Sequence, residues 1–205
     1  LLKSAGYRTG CFGKWGLVIA GSSGDPQKHG FDAFFGYYDQ VLAHNSFPEY
    51  LYKNGEKVFL ENEVQYLDES HWSRGLGSYS TEKVDYSNDL IFDEALNFID
   101  RHHEHPFFLY FPTTIPHDNG EAPKGERFEV PDVGEFADKD WSGEEKAYAA
   151  MIRRLDDYVG RIEKKLEDLS IDQNTIIVFT SDNGAVHPDT FGNRFRSNGD
   201  LRGYK

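Results

Sequence analysis

The sequence predicts an α/β fold with a largely parallel central sheet covered on both faces. Three observations point there. "PFFLYFPT" (106–113) and "TIIVFT" (175–180) are continuous apolar runs of strand length. Each follows a segment with helical spacing of apolar residues, and strands buried on both faces read this way. The 205 residues suffice for one sizeable core, with 38% apolar and 15% aromatic residues to fill it.

Taken in order, "LLKSAGYRTG" reads as a helix tail closed by Gly6, entering a short strand over 8–13 that runs into Lys14 and Trp15. "YLYKNGEKVFL" (50–60) sets Asn54-Gly55 between two β-prone runs, the strongest short hairpin signal. Between Ser87 and His103, Phe92, Ala95, Leu96 and Ile99 share one face of a helix that Pro106 ends. Ser142 and Glu145 form a capping box for a second helix, whose stripe is Met151, Leu155, Tyr158, Val159, Ile162 and Leu166. The strand 175–180 follows. Residues 61–84 and 114–140 lack any such period and are expected to be site-forming loops or disordered. Asp156 and Asp157 lie on the second helix, as solvated charge or paired with Arg153 or Arg161.

Composition excludes several functions. Twenty-two Lys and Arg against 35 Asp and Glu give a net charge of −13, which opposes binding to nucleic acid or an anionic membrane. An anionic ligand therefore requires a locally positive site, built from a metal ion or converging Lys, Arg and His. The single cysteine, Cys11, rules out an intramolecular disulfide and a Cys-rich zinc site. No apolar run approaches the roughly 20 residues of a membrane span.

In this architecture ligands sit beyond the carboxyl ends of the strands. Two predicted strands end there in polar residues, one in "TTIPHD" with His117 and one in "SDNG" with Asp182 and Asn183. Adjacent oxygen-bearing side chains at a strand end can hold a hard cation such as Ca²⁺ or Mg²⁺, and Gly184 lets the chain turn close to it. Asp-Asn-Gly is equally ordinary turn chemistry.

"LLKSAGYRTGCFGKWGL", "HGFDAFFGY", "PFFLYFPTTIPH", "YAAMIRRLDDYVGRI", "NTIIVFTSDNG" and "LRGYK", in that order, resemble the blocks of formylglycine-dependent sulfatases, within the alkaline-phosphatase-like superfamily. The resemblance implies a three-layer α/β sandwich, with residues 1–205 forming an incomplete catalytic domain of a larger enzyme. It also implies that the parent hydrolyses sulfate esters, with carbohydrate sulfates preferred because of the aromatic loops. Asp182 and Asn183 match two Ca²⁺ ligands. Lys14 and Lys205 match lysines that contact the nucleophile and the sulfate, and His117 matches the histidine that helps the leaving oxygen depart. Export to the periplasm, exterior or lysosome is the family habit. The alternatives are a phosphoester or phosphonate hydrolase of the same superfamily, and a non-catalytic glycan- or anion-binding module.

Three departures bear on this resemblance. Gly16 stands where most members have His, and His44 or His187 is expected to supply a substrate-binding imidazole instead. His44 is preferred, in a loop whose Phe47 and Tyr50 suit a sugar face; a surface histidine is the alternative. No Cys/Ser-x-Pro/Ala-x-Arg motif is present, since Cys11 is followed by Phe12, Gly13 and Lys14. The formylglycine and the remaining metal ligands are therefore expected in the parent chain, outside this sequence. Last, the chain stops at Lys205, inside the final block, so the fragment alone is expected to be inactive.

Overall fold

The computed structural model describes residues 1–17, 22–67, 77–192 and 194–205. Its centre is a five-stranded mixed sheet in the order β4-β3-β2-β1-β7, built from β1 (Arg8–Lys14), β2 (Ala33–Tyr37), β3 (Tyr50–Lys53), β4 (Glu56–Phe59) and β7 (Phe107–Tyr110). The strand β1 pairs in parallel with β2 on one side and β7 on the other, while β2-β3 and β3-β4 are antiparallel. The predicted hairpin is β3-β4. Asn54 (φ 52°) and Gly55 (φ 98°) take the left-handed conformations that a two-residue turn between twisted strands requires.

One helix covers a face of the sheet, and a second packs beside it. Helix α1 (Ser87–His102) buries Ile91, Phe92, Ala95, Phe98 and Ile99, with Phe98 against Phe12 of β1 at 5.4 Å between ring centroids. Helix α2 (Gly143–Asp168) starts with the predicted capping box, in which Ser142 Oγ accepts the Glu145 N–H while the Glu145 carboxylate accepts the Ser142 N–H. It packs beside α1 through Tyr158, stacked on Phe92 at 4.2 Å. Met151, Tyr158 and Leu166 of its stripe are buried and Leu155, Val159 and Ile162 half-buried. Arg153 pairs with both Asp156 and Asp157, whereas Arg161 reaches Asp93. The opposite sheet face carries an aromatic cluster: Phe34 stacks on Tyr38 at 4.8 Å, and both surround Cys11.

At the carboxyl end of β1 the backbones approach closely. Gly13 (φ +142°) is in register with Gly36 (φ +148°). A Cβ on Gly36 would lie 2.0 Å from the Gly13 carbonyl oxygen, and one on Gly13 would lie 2.2 Å from that of Pro112. Only glycine fits there. This packing brings Lys14 to the strand end, where its N–H donates to Pro112 O at 2.8 Å.

Two expectations need correction. Residues 175–180 form no strand: Ile176, Val178 and Phe179 are 91%, 79% and 68% exposed. An apolar run becomes a strand only when a neighbour completes its ladder. Among the described residues the sheet ends at β7, whose one partner is β1. The segments 61–84 and 114–140 are not mere loops or disorder. The first contains an antiparallel ribbon, β5 (Glu63–Tyr66) with β6 (Ser78–Glu82), and residues 68–76 between them lie outside the described set. Its period is inverted, because the inward residues of β6 are Ser78 and Ser80 rather than apolar ones. The second buries Ile115, Ala122 and Phe128 together with Asn119, Glu121 and Glu129.

Cys11 is fully buried, and desolvation pushes its thiol up to about 12. Iodoacetamide at pH 8 is expected to label it roughly a thousand-fold more slowly in the folded parent protein than in denatured chain, since only thiolate reacts. Mass spectrometry of the alkylated peptide measures this, and fast native labelling would show an open β1. Gly36→Ala is expected to destabilise the fold by about 2–4 kcal/mol in urea unfolding, through the clash at β1 and left-handed strain.

Candidate active site

Five of the seven residues singled out in the sequence gather where β1, the 114–118 turn and the final segment meet. Lys14 is held below the ordinary lysine range, first by burial and then by the charge of Lys205, against the opposing pull of Asp182. His117 is likewise lowered, chiefly by burial, with Lys205 and His44 adding to the effect. Lys14, Asp182, Lys205, His117 and His44 are thus joined as electrostatic neighbours, Lys14 to Lys205 and Asp182, and His117 to Lys205 and His44. In a chain of charge −13, this is the local positive field that an anionic ligand needs.

Each member has its own anchor. Gly6 (φ 84°) closes a 3-10 turn over Lys3–Ala5 and turns the chain into β1, which delivers Lys14. His117 follows the cis Ile115–Pro116 bond, and its Nδ1 lies 2.6 Å from the Asp118 carbonyl oxygen. That carbonyl only accepts, so the proton sits on Nδ1 and the neutral ring presents Nε2 as an acceptor. The Asp118 carboxylate, which faces the same ring at 3.7 Å, is itself bound by Arg127. Lys205 is placed by its backbone, whose N–H donates to Ala185 O at 3.0 Å. Beside it Gly184 packs so tightly that a Cβ would lie 2.3 Å from the Gly203 carbonyl oxygen. That contact gives Gly184 a packing role next to Asp182 and Asn183.

His44 ends a 3-10 turn, Leu42–His44, and its ring stacks on that of His117 at 5.1 Å, inclined by 10°. Its Nδ1 lies 3.0 and 3.1 Å from the two carboxylate oxygens of Glu121, whose side chain is 1% exposed. His187 stands apart from this pair, half-exposed, near Asp189 at 3.5 Å and against the Tyr204 ring at 5.1 Å. The aromatic sugar face expected beside His44 is not formed by Phe47, which is buried in the core with Tyr86. Tyr50 is half-buried, with Lys57 over its ring. Gly16 has φ +71°, so a β-carbon there would be strained, which accounts locally for the glycine in place of histidine.

Asp182 and Asn183 offer one carboxylate and one amide oxygen. The Asn183 Nδ2 donates to Gly184 O at 2.9 Å, which leaves the amide oxygen as its acceptor. Ca²⁺ takes six to eight oxygens. Among the described residues no group of three or more His, Cys, Asp or Glu forms a metal-holding cluster. The chemistry of this pair fits part of a hard-cation site, not a whole one. Glu121 was missed in the sequence, where "HDNGEAP" carries no periodic signal and a lone Glu in a Gly/Pro-rich stretch reads as solvated.

The family model for sulfatases matches residues 1–205. The chain is 33% identical to human N-acetylgalactosamine-6-sulfatase over 91% of its own length and 32% of that protein's. It is 29% identical to N-acetylgalactosamine-6-O-sulfatase of Bacteroides thetaiotaomicron, over 93% and 43% of the two chains. In the crystal structure of Ps i-CgsB in complex with k-i-k-neocarrahexaose the similarity is 25% identity at a TM-score of 0.66, covering 93% of this chain and 40% of that one. The chain spans about a third of the length of the first curated relative. Matched by the family model from end to end, on an α/β scaffold, the chain belongs to the sulfatase family.

Proposed function

We propose that this chain is the part of a sulfatase that holds and polarises the sulfate group, and that the parent protein hydrolyses sulfate esters of carbohydrates. The observation that supports this reading is the chain of electrostatic neighbours, Asp182 to Lys14 to Lys205 to His117 to His44, within an otherwise acidic molecule. The names of the relatives, N-acetylgalactosamine-6-sulfatase among them, and the oligosaccharide bound to Ps i-CgsB favour a sugar substrate. Family habit favours an extracytoplasmic location, and no helix among the described residues is long and apolar enough to cross a membrane.

The chemistry divides among the residues as follows. Negative charge grows on the sulfuryl oxygens during displacement, and the Lys14 and Lys205 ammonium groups stabilise it in a partly desolvated site. Asp182 and Asn183 contribute two oxygens to a Ca²⁺, with the other ligands and the formylglycine nucleophile supplied by the rest of the parent. A bound Ca²⁺ adds Lewis-acid stabilisation of the same oxygens. His117, protonated at Nε2 once the anionic ester is bound, gives that proton to the ester oxygen as it departs.

Asp182→Ala in the full-length parent is expected to weaken Ca²⁺ binding at least ~10-fold and to lower sulfate release on the order of 100-fold. Calcium titration and a sulfate-release assay measure the two effects. Unchanged values, or hydrolysis of phosphate esters alone, would count against this reading. His117 starts below the ordinary value of 6.5, so it is neutral at pH 7 in the free protein. A bound sulfate ester brings negative charge that favours the imidazolium, so ester binding is expected to raise its pKa. Activity that depends on this proton then falls as pH rises through the raised value. NMR titration of His117 with and without a slowly turned-over ester tests it, and a pKa that stays put or drops removes His117 as the acid.

A further inference from the structure

Glu121 has no part in the scheme above, yet its surroundings are specific. The carboxyl group is all but inaccessible, at 1% exposure, and both of its oxygens face His44 Nδ1, at 3.1 and 3.0 Å. The Glu121 backbone is pinned as well, because its N–H donates to Asn119 Oδ1 at 3.2 Å. Asn119 in turn donates to Ser78 O at 3.0 Å and to the Glu129 carboxylate at 3.3 Å. A Cβ on Gly77 would lie 2.5 Å from Glu121 Cγ, so the chain at Gly77 closes over the Glu121 stem. Burial and packing leave this side chain one geometry.

We infer that Glu121 is a positioning residue for His44. A carboxylate accepts only, so the proton it faces must sit on His44 Nδ1. That fixes the tautomer and makes Nε2 the ring atom that varies with protonation. The stacked His117 ring, 5.1 Å away, fixes the plane of the imidazole. Two imidazoles then stand face to face, each with its Nδ1 proton committed to a protein oxygen: Glu121 for His44, and the Asp118 carbonyl for His117. Such pairing of a histidine with a buried carboxylate orients the ring and fixes its tautomer. His44 is thereby held in one orientation beside His117, as a ring that a sulfate or sugar oxygen would meet. The role in turnover rests on the sulfatase reading; the tautomer does not.

The experiment uses the full-length parent, with Glu121→Gln as the isosteric variant and His44→Ala as its reference. Nitrogen-15 NMR of the histidine rings is expected to show His44 protonated at Nδ1 in the wild type. In E121Q, whose amide can either accept or donate, a mixture of the two tautomers is expected. With a sulfated N-acetylhexosamine as substrate, kcat/KM is expected to fall about 5–10-fold in E121Q, and no further when E121Q is added to H44A. An unchanged tautomer in E121Q, with or without a lower Tm, would overturn the inference. So would an E121Q loss that persists in full on the H44A background. If the parent releases no sulfate at all, the tautomer measurement still decides for or against Glu121, independently of the function proposed above.

Discussion

The buried carboxylate of Glu129 holds the site side of this molecule together. It is 2% exposed, and desolvation raises its pKa against the pull of Lys83. A charge buried to that degree persists only when it is paired and hydrogen-bonded. Its partners are the Ser46 N–H at 2.8 Å, Asn119 Nδ2 at 3.3 Å and Lys83 Nζ at 3.2 Å. These come from three separate chain segments, so one group ties the 42–48 loop, the β6 ribbon and the 114–130 stretch to a common point. Asn45 extends the network, donating to Ser78 Oγ and Ser80 Oγ and accepting the Phe47 N–H. His44 and Glu121 each lie two residues or fewer from a member of it. Satisfied polar networks of this kind rigidify what they join, and a site on loops needs that rigidity.

Around this anchor the charge is unevenly spread. The surface of α2 is laced with ion pairs at helical spacing, such as Arg153 with Asp157, and Lys165 reaches Asp100 on α1. These pairs are largely exposed and contribute little each. Lys14 and His117, by contrast, are partly desolvated, and both are pushed towards their neutral forms. A site that disfavours its own cations is primed for an anion, because an anionic ligand reverses the penalty. The same desolvation that lowers these pKa values would strengthen each contact to a bound anion.

The 175–185 segment separates two requirements that strand prediction merges. Its apolar residues have the composition of a strand buried on both faces, yet Ile176, Val178 and Phe179 lie open to solvent. The turn beyond it is nevertheless shaped: Ala185 N–H donates to Asn198 Oδ1 at 2.9 Å, Lys205 returns to Ala185 O, and Gly184 meets Gly203. Asp182 is therefore brought within electrostatic reach of Lys14 by contacts of the turn and the final segment, without a strand to carry it.

Local chemistry alone determined the hairpin at Asn54-Gly55, the capping box at Ser142, the two amphipathic helices and the β1 and β7 runs, because each depends on residues a few positions apart. The short blocks that carry the family resemblance are likewise local, and it is the resemblance that implies site roles for Lys14, His117, Asp182, Asn183 and Lys205. Tertiary structure decided the rest. Whether 175–180 pairs depends on a neighbour's backbone, which its own composition cannot supply. The β6 strand was hidden because its inward face is Ser78 and Ser80, satisfied by Asn45 from 33 and 35 residues away. Phe47 went to the core rather than to a sugar face, since burial is settled by what the fold brings against it. Glu121 acquired its meaning only when the chain folded to set its carboxylate against His44, 77 positions earlier. Contacts between residues that far apart carry no local periodicity, so they enter only with the folded chain.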